Sequence, residues 1–247
     1  LAHRPAALLT DIDGTISPIV ARPEDAFVSE RARTALHELT SSLELVAVVT
    51  ARAESVAQAM VGLAGLEYVG NYALDDEARD RIDTEGLGTA KERAEALLSA
   101  LPDVTLETKG ISFALHYRNC ADPDAMRIRL LEPIALEFGG RLVEGKRVVE
   151  VVPPGLPDKG TAVVKLLQRY SARSVVYLGD DFADIAVFHE LSRQRRDGNL
   201  ATLSVAVQDA ETNPSVLAAA DVRLGGIPGC EAFLTGIARA LDTETAL

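Results

Sequence analysis

Asp11 and Asp13 stand one residue apart, just after the apolar run Ala6 to Leu9 and directly before Gly14 and Thr15. In an extended strand, residues two apart share a face, so both carboxylates point the same way. At 4 Å and an effective dielectric near 20, two such anions repel by roughly 4 kcal/mol, and a bound cation relieves the repulsion. Other apolar runs also end in polar groups. Thr50-Ala51-Arg52 follows Leu45–Val49, and Gly179-Asp180-Asp181, with Asp184 beyond, follows Ser174–Leu178. Asp158-Lys159-Gly160 opens the helical pattern just before that last run. Carboxylates, a hydroxyl and a lysine on one rim suit phosphoryl transfer. A carboxylate can attack phosphorus and split the hydrolysis into two steps. Mg²⁺ takes one or two protein carboxylates and completes its shell with water and phosphate oxygens. A hydroxyl and an ammonium position the phosphate and offset its charge. A second carboxylate can protonate the leaving oxygen and later activate water.

Positioning these groups requires a sheet whose strand ends share one edge. Besides the runs already named, Leu203–Val207 and Val222–Leu224 are uniformly apolar, and helical patterns separate all of them. That alternation predicts a doubly wound, Rossmann-like parallel sheet in an α/β protein. Its ligand crevice lies at the carboxyl ends of the strands. Ser29 caps a helix carrying the stripe Ala32, Ala35, Leu36 and Leu39; Asp158 caps one carrying Ala162, Val163, Leu166, Leu167 and Tyr170. Asn213-Pro214 opens a third. On the helix after Asp180, Phe182, Phe188 and Leu191 read as core, whereas His3, His37 and His189 have no motif context.

The middle of the chain follows another pattern. From Asp76 to Val152 the strands alternate: Ile111, Phe113, Leu115 and Tyr117 take one face, and Ser112, Ala114 and His116 the other. One packed and one open face is the pattern of an antiparallel sheet. Lys109-Gly110 and Glu144-Gly145-Lys146 read as tight connections, with helices near Gly88–Leu101 and Asp122–Phe138, the second interrupted at Pro133. By the period of two, Lys146, Val148 and Glu150 share a strand face, with Glu144 across the connection. Residues 76–152 are therefore expected to form an inserted second domain of α+β type, within a core made of 1–75 and 153–247.

The 247 residues carry a net charge of −12 and no long Lys/Arg cluster, which argues against nucleic acid or an anionic membrane as partner. Cys120 and Cys230 match no metal-ligand spacing and read as small core residues rather than a disulfide. No signal peptide or bilayer-spanning run is visible, so a cytoplasmic protein is expected. No patch or heptad marks a self-association surface, and a monomer is the expectation.

Asp11-Ile12-Asp13-Gly14-Thr15, Thr50, Lys159 and Gly179-Asp180-Asp181-Phe182-Ala183-Asp184 resemble, in order, the four motifs of the haloacid dehalogenase superfamily of phosphatases. The resemblance implies that Asp11 is the nucleophile and Asp13 the general acid/base, with Thr50 and Lys159 holding the phosphate. It also implies a Mg²⁺ ion bound by Asp180, Asp11 and the main-chain carbonyl of Asp13, with Asp184 and Asp181 in an outer role. Within the superfamily, several stretches are similar to the trehalose-6-phosphate phosphatase family. They are residues 13–19, Gly70-Asn71, His116-Tyr117-Arg118, Glu144-Gly145-Lys146 through Pro153, and 158–162.

That likeness implies hydrolysis of trehalose 6-phosphate, with the inserted domain as a sugar-recognising cap and Arg52, Asn71, His116, Arg118, Glu144, Lys146 and Glu150 as candidate substrate contacts. Read from the residues alone, Arg52 either reaches the phosphate or pairs with a carboxylate. His116 is either a half-exposed strand residue or a ligand contact, and the Glu and Lys residues are either partners for sugar hydroxyls or a rim of surface ion pairs worth ~0–1 kcal/mol. The chain departs from the family where Thr50-Ala51-Arg52 replaces the usual Ser-Gly-Arg. Ala183 and Ile185 replace Thr and Glu, and Tyr72 stands where His is common. These departures leave the nucleophile intact but bear on the substrate. Another sugar phosphate, of sucrose or mannosyl-glycerate type, is the nearest alternative. A phospho-accepting receiver-like module is a second, disfavoured by the cap and by Asp13, and a cap-bearing sugar binder without catalysis is a third.

Overall fold

The computed structural model describes residues 3–70, 84–109, 112–127, 129, 141–154 and 156–245. Asn71, Tyr72, Ile111 and Pro133, each singled out in the sequence, lie outside the described residues. The chain divides into two compact units, Leu1–Ala73 with Asp158–Leu247, and Leu74–Pro157.

The described elements of the first unit begin with β1 (Ala6–Thr10), α1 (Glu30–Ser42), β2 (Leu45–Val49), α2 (Glu54–Val61) and β3 (Glu67–Val69). The second unit holds α3 (Thr84–Leu98), β4 (Thr105–Thr108), β5 (Phe113–His116), β6 (Arg141–Gly145) and β7 (Val148–Val152). The first unit resumes with α4 (Lys159–Arg169), β8 (Ser174–Gly179), α5 (Phe182–Arg196), β9 (Ala201–Gln208), α6 (Pro214–Ala219), β10 (Val222–Gly225) and α7 (Gly226–Thr245).

The first unit is a six-stranded sheet ordered β10-β9-β8-β1-β2-β3, with every described pairing parallel. Its central strands are uniformly apolar because both faces are covered. Leu8, Val46, Val48, Val176 and Leu178 pack with Ala32, Leu36 and Leu39 of α1 and Leu234 of α7. Their strand neighbours Ala7, Leu9, Ala47, Val49 and Tyr177 pack with Val163 and Leu166 of α4 and Val187 and Phe188 of α5. Each fully buried Leu or Val contributes about 1.5–3 kcal/mol to this sandwich.

The helix starts lie where their caps stand. Ser29 accepts from the Ala32 N–H, Asp158 from Thr161 and Asn213 from Ser215. Phe182 differs from expectation: at the first position of α5 it is only partly buried, whereas Phe188 and Leu191 are fully buried. His3, His37 and His189 are exposed. β3 and α7 are among the elements that went unread in the sequence. β3 is three residues long, lies at the sheet edge and is only partly buried. α7 opens on Gly226-Ile227-Pro228-Gly229, which masks the helical spacing of its buried residues Cys230, Leu234, Ala238 and Leu241.

Among the described residues the second unit holds a four-stranded antiparallel sheet ordered β4-β5-β7-β6. Phe113, Leu115, Tyr117, Val149 and Val151 pack on Ala90 and Ala94 of α3, as the alternation predicts. Lys146 corrects the strand reading. Gly145 still pairs with Val148, so the β6–β7 connection is Lys146-Arg147, one residue later than the sequence suggested. Arg147 turns it with a left-handed φ of 62°. Cys120 lies in this unit and Cys230 in the first, and both are buried and free. Among the described residues no helix is long and apolar enough to cross a membrane.

Candidate active site

The strand order reverses at β1. From β1 the chain steps outward through β2 to β3, and later returns to β8 on the other side before moving on to β9 and β10. Such a reversal opens a crevice at the carboxyl ends of the strands. Asp11 follows β1, Thr50 follows β2 and Asp180 follows β8. The Asp11 N–H donates to the Leu178 carbonyl at 2.9 Å, which ties the first of these ends to the third.

Lys159, the first residue of α4, is buried between two carboxylates. Its Nζ lies 3.0 Å from Asp11 Oδ1 and 2.7 Å from Asp184 Oδ1. Burial works against its charge, but Asp11 and Asp184 outweigh burial and hold it protonated, well above the ordinary lysine range. Asp184 takes four hydrogen bonds. Lys159 and the Tyr177 hydroxyl donate to Oδ1 at 2.7 and 2.6 Å, and the Asp180 and Asp181 N–H groups donate to Oδ2 at 2.9 and 3.0 Å. Those donors fill the acceptor capacity of a carboxylate. Although burial pushes Asp184 up, Lys159 and these donors hold it below the ordinary aspartate range. Asp11 has Lys159 but lacks that set of donors. Burial pushes it up to about 7, with Lys159 opposing and Asp184 and Asp13 adding to the rise. Asp181 caps α5, accepting from the Phe182 N–H at 2.8 Å, while Asp184 at the third helical position reaches back to its N–H.

Asp180 is fully buried and accepts the Thr15 hydroxyl on Oδ1 at 2.9 Å. Gly14 lies against it with φ +83°, and a Cβ there would meet Asp180 Oδ2 at 2.0 Å. Oxygens of Asp11, Asp180 and Asp184 all lie within 4.8 Å of one another. Hard oxygen donors of this kind fit a divalent cation such as Mg²⁺. With Asp184 already saturated, Asp11 and Asp180 are the carboxylates of this group able to serve as direct ligands.

Arg52 settles onto Asp13. Its Nε and Nη2 donate to the two carboxylate oxygens at 2.6 and 2.8 Å, and Nη1 and Nη2 each reach the Pro23 carbonyl at 3.3 Å. Bidentate contacts of this kind fix orientation as well as charge. Thr50 is buried, with its Oγ1 accepting the Arg52 N–H at 3.2 Å. In the sequence Thr15 carried no role of its own, and Tyr177 was not named. The signal for Tyr177 was available, since a phenol in a fully buried strand needs a hydrogen-bond partner.

In the second unit Glu150 is buried on the sheet face opposite Phe113 and Val151. Ser112 Oγ donates to it at 2.6 Å and Lys109 Nζ at 3.3 Å. His116 Nε2 lies 2.7 Å from Glu107 Oε2, and Arg118 Nη2 donates to the Lys146 carbonyl at 2.7 Å. Glu144 is not brought together with Glu150. It pairs with Val149 rather than Val148, so it takes the other sheet face and meets Arg127 at 2.7 Å.

A parallel sheet reversing at β1, with an aspartate, a lysine and two more aspartates at that reversal, has the fold of the haloacid dehalogenase-like proteins. Consistent with this, the fold superposes on a haloacid dehalogenase-like hydrolase from Bacteroides thetaiotaomicron, with TM-score 0.55 and 16% identity over 97% of this chain and 99% of that one. It also superposes on the C-terminal domain of C. albicans trehalose-6-phosphate phosphatase, with TM-score 0.71 and 21% identity over 96% and 93% of the two chains. The family model for trehalose-phosphatase matches residues 9–220, and the chain belongs to that family. In sequence it is 30% identical, over 225 residues, to trehalose-phosphate phosphatase of Mycobacterium ulcerans, covering 82% of this chain and 57% of that protein. Overall the chain spans from 15% to 61% of the length of the first curated relatives it matches.

Proposed function

We propose that the chain hydrolyses trehalose 6-phosphate to trehalose and phosphate through an aspartyl-phosphate. The observation that carries this reading is Lys159 held 3.0 Å from Asp11 at the sheet's reversal point. An ammonium there offsets the charge of an approaching phosphate while leaving a carboxylate oxygen beside it for attack. Asp11 forms the new bond to phosphorus as the bond to the sugar oxygen breaks, and Asp13 delivers a proton to that oxygen. Asp13 then takes a proton from water, whose oxygen displaces Asp11 and releases phosphate. Arg52 orients Asp13 through its two-point contact, and Thr50 and Lys159 hold the phosphoryl oxygens. Asp11, Asp180 and the Asp13 main-chain carbonyl would hold Mg²⁺, which supplies Lewis-acid neutralisation of the phosphoryl oxygens when bound.

The second unit is the sugar-recognising cap in this reading. Lys109, Ser112 and Glu150 offer both donors and acceptors on the face of its sheet opposite the α3 layer, a set suited to sugar hydroxyls. His116, Arg118, Lys146 and Asn71 remain its further candidate contacts. A cytoplasmic monomer is part of the same proposal, and light scattering on the purified chain checks the monomer.

The decisive test is Asp11→Asn. With trehalose 6-phosphate and Mg²⁺, phosphate release should fall at least ~10⁴-fold, as expected on loss of a nucleophile, while circular dichroism stays native. Sustained release by that variant removes Asp11 from the nucleophile's role.

A further inference from the structure

Tyr177 is a fully buried residue of β8, and its hydroxyl donates to Asp184 Oδ1 at 2.6 Å. That same oxygen receives Lys159 Nζ at 2.7 Å, and Nζ in turn lies 3.0 Å from Asp11. The phenol ring is fixed in place by Phe188, edge to face at 6.0 Å and 75°. The hydroxyl therefore comes from a rigid strand, and its acceptor belongs to the first turn of α5.

An ammonium has three donors. In this arrangement one points to Asp11 and one to Asp184, which leaves the third for a phosphoryl oxygen. The direction of that third donor depends on where Asp184 Oδ1 sits. The backbone N–H groups of Asp180 and Asp181 hold only the other oxygen, Oδ2. Tyr177 and Lys159 alone constrain Oδ1 among the contacts described for it. Without the hydroxyl, the carboxylate can rotate about its Oδ2 anchor, and Lys159 follows Oδ1 away from Asp11.

We propose that Tyr177 is a positioning residue for phosphoryl transfer: its hydroxyl pins Asp184 Oδ1 so that Lys159 faces Asp11 and the phosphate together. The inference rests on the phosphatase reading above, with Tyr177 touching neither substrate nor phosphate. A small displacement of a charged group costs more in the transition state than in the bound ground state.

The test compares Tyr177→Phe with Phe188→Leu, which loosens the same ring without touching the hydroxyl. Trehalose 6-phosphate and para-nitrophenyl phosphate serve as substrates, each with Mg²⁺. For Tyr177→Phe, kcat should fall roughly ten- to a hundredfold with KM changed less than about threefold, and Tm should drop by no more than about 3 °C. Phe188→Leu should lose at least as much Tm and keep kcat within about threefold of wild type. Wild-type kcat in Tyr177→Phe overturns the proposal, as does a loss of kcat that tracks Tm alike in both variants. A wild-type chain inert towards every phosphate ester would instead overturn the functional reading. Binding of orthovanadate, which mimics the transferring phosphoryl group in its transition state, then still decides the positioning role by calorimetry. Vanadate affinity weakened about tenfold or more in Tyr177→Phe and kept in Phe188→Leu supports it, and equal affinities refute it.

Discussion

Asp11 and Asp184 are carboxylates in one buried cluster, yet their surroundings drive them apart. Asp184 has a lysine, a phenol and two backbone N–H groups to hold its charge, whereas Asp11 is pushed up to about 7 by burial. An unfolded aspartate titrates near 4. Between about pH 4 and pH 7 the folded chain therefore holds the Asp11 proton more tightly than the unfolded chain, and stability falls as pH rises through that window. Asp184 works in the opposite sense, because its contribution is complete above its ordinary range and is lost only in acid. In EDTA, Tm should thus drop by ~3 °C or more from pH 5 to pH 8, since each kcal/mol moves Tm by about 2–4 °C at this chain length. Mg²⁺ should restore Tm at pH 8 and add little at pH 5, where it competes with the proton. Asp11→Asn should flatten the profile. A metal-free Tm that rises over this range would contradict the assignment.

The loop after β1 and the start of α5 are the two elements that shape the site. The loop closes through the Ile12 carbonyl, which accepts the N–H groups of Thr15, Ile16 and Ser17 at 3.2, 3.0 and 2.9 Å. Gly14 makes that turn at a φ that an L side chain resists, and does so in contact with Asp180. Gly14→Ala therefore carries two penalties, backbone strain and a collision 2.0 Å from Asp180 Oδ2. Its Mg²⁺ affinity should fall at least about tenfold, a scale typical of disturbed metal surroundings. Isothermal titration calorimetry reads this directly, and unchanged affinity would mean that Asp180 is not a ligand. At α5 the capping box does double duty, since the Asp184 carboxylate that accepts the N–H groups of Asp180 and Asp181, just before the helix, also holds Lys159.

At the scale of the molecule, the proposed function assigns chemistry and recognition to separate units, each with its own core. The carboxylate–lysine cluster lies wholly in the parallel sheet unit, and Glu150 with Lys109 and Ser112 lies wholly in the antiparallel one. Selectivity should then be separable from catalysis. Glu150→Gln should lower kcat/KM for trehalose 6-phosphate about tenfold or more, the scale of one lost charged hydrogen bond. The rate on para-nitrophenyl phosphate should stay within about twofold of wild type. Sucrose 6-phosphate in the same assay measures how narrow the selection is. Equal losses on both substrates would place Glu150 in the support of the fold rather than in recognition.

Local order along the chain was enough to read the strands of the parallel sheet's centre, the caps Ser29, Asp158 and Asn213, and the two-faced sheet of the second unit. Each of those depends on periodicity or on a cap within a few residues of the element it governs. β3 escaped because a three-residue edge strand carries too little pattern, and α7 because its Gly-Pro opening obscures its helical spacing. The sequence by itself determined which groups end each strand: Asp11 and Asp13, Thr50, and Asp180. Only the tertiary structure decided how they divide their work. Contacts such as Arg52 with Asp13, Tyr177 with Asp184, and Lys159 between two carboxylates join residues from different elements. The opposite faces of Glu144 and Glu150 follow from a turn displaced by one residue, and in a strand of period two that shift reverses every side chain.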